Sequence, residues 1–284
     1  MPELPEVETL RRDLSRTVVG RRIERAELSR PKMLVAPTGL TLSDLHGRTV
    51  RGLGRRAKLL LFDLSGDLTM AVHLKLAGQL VHRRGEATLA AGGHPVPRFD
   101  APLPHRSTHG RFDLDDGSVL WLTDIRQFGR VTLLPTELLS SLLGEKRLGI
   151  EPLGPEFTAE RLGATLRRHR TLPIKSALLD QANLAGLGNI YADEALHVAG
   201  LHPSRPAGRL SEAEIGRLWA AIRSVLTHAI EHGVADLPNG RVAGDASFPG
   251  AHGRSGRPCL ACGATIERIK VGARSTDFCP SCQR

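Results

Sequence analysis

Four cysteines fall within the last 26 residues, as Cys259-Leu260-Ala261-Cys262 and Cys279-Pro280-Ser281-Cys282, with 16 residues between the pairs. Two CxxC turns joined by a short hairpin present four thiolates to a tetrahedral zinc ion with little strain. So short a module has few apolar residues to bury and would hardly fold without a staple. Disulfides or a redox pair are the alternatives, and a reducing compartment argues against disulfides. Because Cys259, Cys262, Cys279 and Cys282 fill all four positions, the expected metal is one structural zinc rather than a catalytic one. The segment also carries Arg254, Arg257, Arg268, Lys270, Arg274 and Arg284 against only Glu267 and Asp277, a balance suited to phosphate contact.

The rest of the chain is organised differently. Val7, Leu10 and Leu14 recur at helical spacing, so a helix is expected from about Pro5 to Arg16, with Gly20 after it. The runs KLLLFDL, DLTMAVHL and SVLWLTD read as strands, divided by turn residues such as Ser65-Gly66-Asp67 and Asp115-Asp116-Gly117. Residues 85–106, rich in Gly, Pro and Ala, read as a long surface loop. From about Leu133 the patterning becomes helical. Ser211 with Glu214 forms a capping box ahead of Ile215, Leu218, Ile222, Val225, Leu226 and Ile230, and Gly233 closes that helix. Residues 234–256 lack periodicity and read as a linker or mobile loop.

Charge narrows the partners. Lys and Arg number 39 against 30 Asp and Glu, giving a formal charge of +9. Such a surplus favours a polyanion, because cations that neutralise phosphates release condensed counterions, although a merely soluble basic protein has the same balance. No apolar run approaches the roughly 18 residues that span a bilayer. MPELPEVETL places acidic residues where a secretory signal carries basic and then apolar ones, so a cytoplasmic protein is expected.

The N-terminus offers chemistry. A small residue after Met1 permits removal of the initiator and would leave Pro2 with a free secondary amine. Terminal amines titrate near about 7.7–8.0, so far more is neutral and nucleophilic than for a lysine. Glu3 is placed to protonate a leaving oxygen or to shuttle a proton. By themselves, Pro2 and Glu3 read better as the opening of the first helix.

The wider pattern resembles the bacterial formamidopyrimidine-DNA glycosylase family, within the broader Fpg/Nei group. MPELPEVETLRRDL is similar to its opening, and Arg55-Arg56-Ala57-Lys58-Leu59-Leu60 to its lysine-bearing strand. Thr123 to Gly129 resembles its DNA-intercalating loop, Leu187-Gly188-Asn189-Ile190-Tyr191-Ala192 its helix–two-turn–helix signature, and the paired CxxC module its zinc finger. The motifs occur in the family's order and span nearly the whole chain.

The resemblance implies an α+β protein. Its parts are an N-terminal catalytic β-sandwich flanked by helices (residues 1–132), a helix–two-turn–helix domain (133–235), a lesion-capping loop or linker (236–249) and a zinc-finger β-hairpin (250–284). It implies a base-excision enzyme with DNA glycosylase and AP lyase activities. Pro2 attacks C1′ of the damaged nucleotide, Glu3 acts as acid and base, Lys58 transfers protons and binds phosphate, and Arg274 holds phosphate and assists δ-elimination. The base must be flipped out to be reached. Leu76, Arg126 and Phe128 would fill the gap, Phe128 as a wedge between bases. Asn189 would bind phosphate beside a helix N-terminus, and His109, Arg170 and Lys175 align with further DNA contacts. The implied partner is damaged double-stranded DNA, bound by a monomer in the bacterial cytoplasm, nucleoid-associated, with zinc and no organic cofactor.

Some positions depart from the family pattern. Leu76 replaces a usual methionine, Ile125 and Gln127 replace proline and arginine, and residues 234–253 lack the Thr-rich start of the capping loop. The opening Leu4 to Thr9 favours oxidised purines, such as 8-oxoguanine and formamidopyrimidines, over oxidised pyrimidines. A Nei-like enzyme for pyrimidines and a non-catalytic binder of damaged DNA are the competing readings.

Overall fold

Leu4, Val7, Leu10, Leu14 and Val18 are all buried and line one face of helix α1 (Leu4–Val18). Pro5 sits in its first turn, where the missing N–H costs nothing. The Glu6 carboxylate accepts the Glu3 backbone N–H at 2.7 Å, closing the helix start. Gly20, at φ 83°, carries the chain away after it. These coordinates are a computed structural model that describes residues 1–36, 38–145, 147–232, 235–236, 241–242 and 248–284.

The chain divides into two units, Met1–Lys146 and Arg147–Arg284. The first contains strands β1 (Ile23–Leu28), β2 (Leu34–Val35), β3 (Val50–Arg56), β4 (Leu59–Leu64), β5 (Leu68–His73), β6 (Gly78–Arg84), β7 (Ala87–Gly93), β8 (Thr108–Leu114), β9 (Val119–Asp124) and β10 (Arg130–Pro135), followed by helix α2 (Leu139–Glu145). They form two five-stranded sheets, ordered β1-β8-β9-β6-β7 and β2-β10-β5-β4-β3. Val7, Leu10 and Leu14 of α1, Leu80, Phe112 and Leu122 of one sheet and Phe62, Met70 and Leu133 of the other share one core. Burying each such side chain stabilises by about 1.5–3 kcal/mol.

Two expectations change here. The Gly/Ala-rich stretch expected to be loop from residue 85 contains β7, which pairs with β6 from Arg84↔Ala87 to Gln79↔Gly93. Its small residues are what α1 needs: a Cβ on Gly92 would come within 2.9 Å of Leu10 Cβ. The loop proper starts only after Gly93. Strand β10 also runs through residue 132, where composition suggested a boundary, because Arg130–Pro135 pairs with β5 along its whole length.

The second unit contains helices α3 (Ala159–Arg168), α4 (Ile174–Leu179), α5 (Asn189–Ala199) and α6 (Glu212–His232), the short pair β11 (Ala235–Asp236) and β12 (Arg241–Val242), and the hairpin β13 (Glu267–Val271) and β14 (Arg274–Phe278). The capping box forms as expected: Glu214 Oε2 accepts the Ser211 N–H at 2.8 Å, and Ser211 Oγ accepts the Glu214 N–H at 3.4 Å. Leu162, Leu166, Leu178, Tyr191, Leu218 and Ile222 share the helical core. Gly233 and most of residues 236–249, the expected capping loop, lie outside the described residues. Among the described residues no helix is long and apolar enough to cross a membrane.

Candidate active site and nucleic-acid interface

Pro2 and Glu3 are both buried immediately ahead of α1, Glu3 being 2% exposed. Lys58 is not within a strand. Pairing of β3 with β4 ends at Arg56↔Leu59, which leaves Ala57 and Lys58 as the hairpin turn. Ala57 takes φ 53°, the left-handed backbone that tight hairpin turns demand. Arg55 ties this turn to the N-terminal helix: its Nε donates to Glu8 Oε2 at 3.1 Å and its Nη1 to the Ala57 carbonyl at 2.9 Å. Arg11 also donates to Glu8, at 2.8 Å. Burial pushes the Glu8 carboxyl up, but the Arg11, Arg12 and Arg55 guanidiniums outweigh it and hold the group at about 2.

A pH dependence of stability follows. The folded value of about 2 lies below the ordinary 4.5, so the stabilisation is complete above pH 4.5 and disappears as pH falls towards 2. It amounts to roughly 1–3 kcal/mol once solvent screening is allowed for. In urea unfolding at pH 7, Glu8→Gln is expected to lose that amount against the parent chain. At pH 2.5, just above the folded value, the gap should shrink to about a quarter; an undiminished gap there would exclude the ionised carboxylate as its source.

At one end of the first sheet, Gly78 pairs with Asp124. This places the β5–β6 turn, with Leu76 half-buried on it, beside the loop that follows β9. The buried Asp124 carboxylate shapes that loop, accepting the Arg126 N–H at 2.9 Å and the Gly129 N–H at 2.7 Å. Gln127, at φ 58°, turns the tip. Phe128 is left 45% exposed, with the Arg126 guanidinium 5.4 Å from its ring centre. Phe128 is therefore a loop-tip residue and not part of the core. His109 supports the loop from below. Its Nε2 lies 3.1 Å from the Asp124 carbonyl, to which it donates, and its Nδ1 lies 3.2 Å from Ser29 Oγ. Burial lowers the His109 imidazolium.

In the second unit, Gly188 caps α5 and Asn189 opens it, so the free amides of that helix end adjoin Asn189. Asn189 Nδ2 donates to the Ser275 carbonyl at 3.2 Å. Arg170 is exposed between α3 and α4, and Arg274 is exposed at the start of β14. Lys175 differs from expectation. It is 0% exposed, and its Nζ donates to the Ser275 carbonyl at 3.0 Å and to Thr276 Oγ1 at 2.7 Å, and pairs with Asp193 at 2.6 Å. A buried ammonium requires such partners. The side chain is turned into the protein, so it joins α4 and α5 to the strand bearing Arg274 in place of a direct phosphate contact.

Sequence patterning did not single out the acidic pair on α5. Asp193 also meets His252 Nδ1 at 2.8 Å. Glu194 accepts the amides of Gly250, Ala251 and His252 at 2.6, 3.0 and 2.7 Å. Burial pushes the Glu194 carboxyl up in spite of these donors. Two adjacent carboxylates inside an otherwise apolar helix were the available signal, since buried charges need dedicated partners.

The four cysteine Sγ atoms lie within 4.8 Å of one another, and no other such donor cluster occurs among the described residues. Burial raises the Cys259 thiol, but His197 and the Ala261 and Cys262 amides overcome this and bring it to about 6. Crowding by Cys262, burial and the remaining cysteines push Cys282 up to about 12. Thiols so crowded fit a divalent cation, and an all-sulfur tetrahedral set fits zinc.

Comparison with known proteins follows the same division. The chain matches the formamidopyrimidine-DNA glycosylase N-terminal domain over residues 1–131, the H2TH domain of the same enzymes over 148–237, and the zinc finger found in FPG and IleRS over 256–284. It is 44% identical to a formamidopyrimidine-DNA glycosylase of Heliobacterium modesticaldum over 290 aligned positions, covering 100% of both chains. To that of Chloroflexus aurantiacus it is 42% identical, covering 100% of this chain and 98% of the relative. The structure of Lactococcus lactis Fpg with abasic-site DNA superposes with a TM-score of 0.87 at 33% identity, covering 99% of each chain. Another complex of that protein, with DNA containing N7-benzyl-Fapy-dG, gives 0.86 at 33% identity and covers 100% of each chain. The finger match and the four clustered thiols together make the C-terminal module a binder of one structural zinc. With relatives matched end to end and all three modules in order, the chain belongs to the formamidopyrimidine-DNA glycosylase family.

Proposed function

We propose that this protein is a base-excision repair enzyme that removes oxidised purines from duplex DNA and then cuts the strand as an AP lyase. The observation that carries the reading is full-length relatedness to formamidopyrimidine-DNA glycosylases in a chain that retains Pro2, Glu3 and Lys58. In the mature chain, with Met1 removed, the Pro2 nitrogen uses its lone pair to bond C1′ of the flipped nucleotide. The glycosidic bond breaks and the base leaves with the electron pair. Glu3 protonates the sugar ring oxygen, and the opened sugar remains on Pro2 as an iminium ion. Loss of a C2′ proton expels the 3′ phosphate, and loss of a C4′ proton expels the 5′ phosphate. Lys58 and Arg274 bind phosphate and support these eliminations.

The loop holding Phe128 suits the other requirement. Its exposed ring and the neighbouring Arg126 can occupy the gap left by a flipped nucleotide, with Leu76 on the adjacent turn. Asn189, Arg170 and the amides opening α5 suit phosphate. The Lactococcus lactis relative binds abasic-site DNA and Fapy-dG DNA in its crystal structures, which favours the purine branch. The test is a set of duplexes each carrying one lesion. Faster cutting at 8-oxoguanine and formamidopyrimidine than at thymine glycol or dihydrouracil is expected; the reverse order would assign the protein to oxidised pyrimidines.

A further inference from the structure

His197 projects from α5 towards the cysteine cluster, and its Nε2 lies 3.4 Å from Cys259 Sγ. The ring is half-buried and closely held. A Cβ on Gly250 would approach its Nδ1 to 3.1 Å, a tight contact that would press on the ring. Gly250 itself is fixed by its N–H on Glu194 at 2.6 Å. The two knuckles are therefore unequal. Cys279 takes its knuckle amides, including the Cys282 N–H at 3.4 Å. Cys259 takes the Ala261 and Cys262 amides and, in addition, the imidazole. His197 also lines a cleft of about 360 Å³ with Val198, Val225, Phe248 and Leu260.

We propose that His197 is an outer-sphere donor to the zinc centre, its Nε2–H hydrogen-bonded to the Cys259 thiolate, and that this contact slows loss of the metal from the finger. A thiolate is an acceptor only, so the nitrogen facing it carries the proton. A donor on a ligating sulfur stabilises its anionic form and fixes its orientation. Loss of such partners typically costs about 10–100-fold in metal affinity. His197 is a positioning residue here: it acts through Cys259.

The experiment uses the zinc-loaded full chain, mixed at one pH with an excess of a chromogenic zinc chelator. His197→Phe keeps the ring volume and removes the donor; His197→Gln places an amide N–H near the position of Nε2. His197→Phe is expected to release zinc about tenfold faster, and His197→Gln to stay within about twofold of the parent. In cobalt-substituted protein the sulfur-to-metal charge-transfer band should shift to longer wavelength for His197→Phe alone, because sulfur no longer shares charge with a donor. The proposal is overturned if His197→Phe releases zinc at the parental rate, or if His197→Gln is as fast as His197→Phe. An unshifted cobalt band in His197→Phe would overturn it as well.

Discussion

Removing zinc, or replacing Cys259 with Ser, is expected to raise the dissociation constant for an abasic-site duplex by about 100-fold, equivalent to about 2.7 kcal/mol. The finger's own core explains the size of the effect. It consists of Cys259, Ile266 and Cys279, with Ala264 and Cys282 packed against it, so most of its members are themselves metal ligands. The β13–β14 hairpin is two-stranded and marginal alone in water. Without the ion, Cys279 loses its tether and the hairpin bearing Arg274 is left resting on the Lys175 and Asn189 bonds to Ser275 and Thr276, which would loosen the phosphate contact proposed for Arg274. Anisotropy titrations at two salt concentrations should show both weaker binding and a shallower salt dependence for the metal-free protein. Binding unchanged after verified metal loss would remove the finger from the DNA interface.

Glu3→Gln is expected to slow excision of 8-oxoguanine by about 10²–10⁴-fold, the range of a positioned general acid. The amide is nearly isosteric with the carboxyl but has no acidic proton. Glu3 is buried next to Pro2, the proposed nucleophile; its side chain accepts the Glu6 N–H in the capping box while its own N–H is held by Glu6 at 2.7 Å, and glutamine keeps an acceptor oxygen for that box. A preformed abasic site already presents an aldehyde and needs no base departure. Cutting there should persist within about tenfold of the parent, since the Pro2 amine is unchanged. Single-turnover rates on the two substrates separate the steps. Equal loss on both would make Glu3 a group that orients the nucleophile; no loss on either would remove it from the chemistry.

The parts legible in the sequence are those whose signal is local. The cysteine spacing specifies the metal module, Ser211 and Glu214 mark the start of α6, and Gly20 follows α1. Phe128 between Gln127 and Gly129 marks a loop tip, and the structure adds that buried Asp124 builds it. What escapes the sequence depends on partners far apart in the chain. Arg55 meets Glu8 across 47 residues, Lys175 meets Ser275 across 100, and His197 meets Cys259 across 62. No local pattern separates a lysine facing phosphate from one turned inward onto Asp193. Strand β7 is hidden for a related reason. Its Gly and Ala composition resembles a loop, and only the packing of Leu10 against Gly92 shows why small residues belong in a strand there.

The proposed chemistry depends on the secondary amine that Pro2 would expose once Met1 is gone. Borohydride reduction during reaction with a duplex bearing one abasic site, followed by peptide mapping, locates the bond directly. A stable adduct is expected on Pro2 of chains lacking Met1, and none on chains that retain a residue ahead of it. An adduct mapped to Lys58 or another lysine, or no adduct with a chain whose N-terminal residue is Pro2, would contradict the assignment.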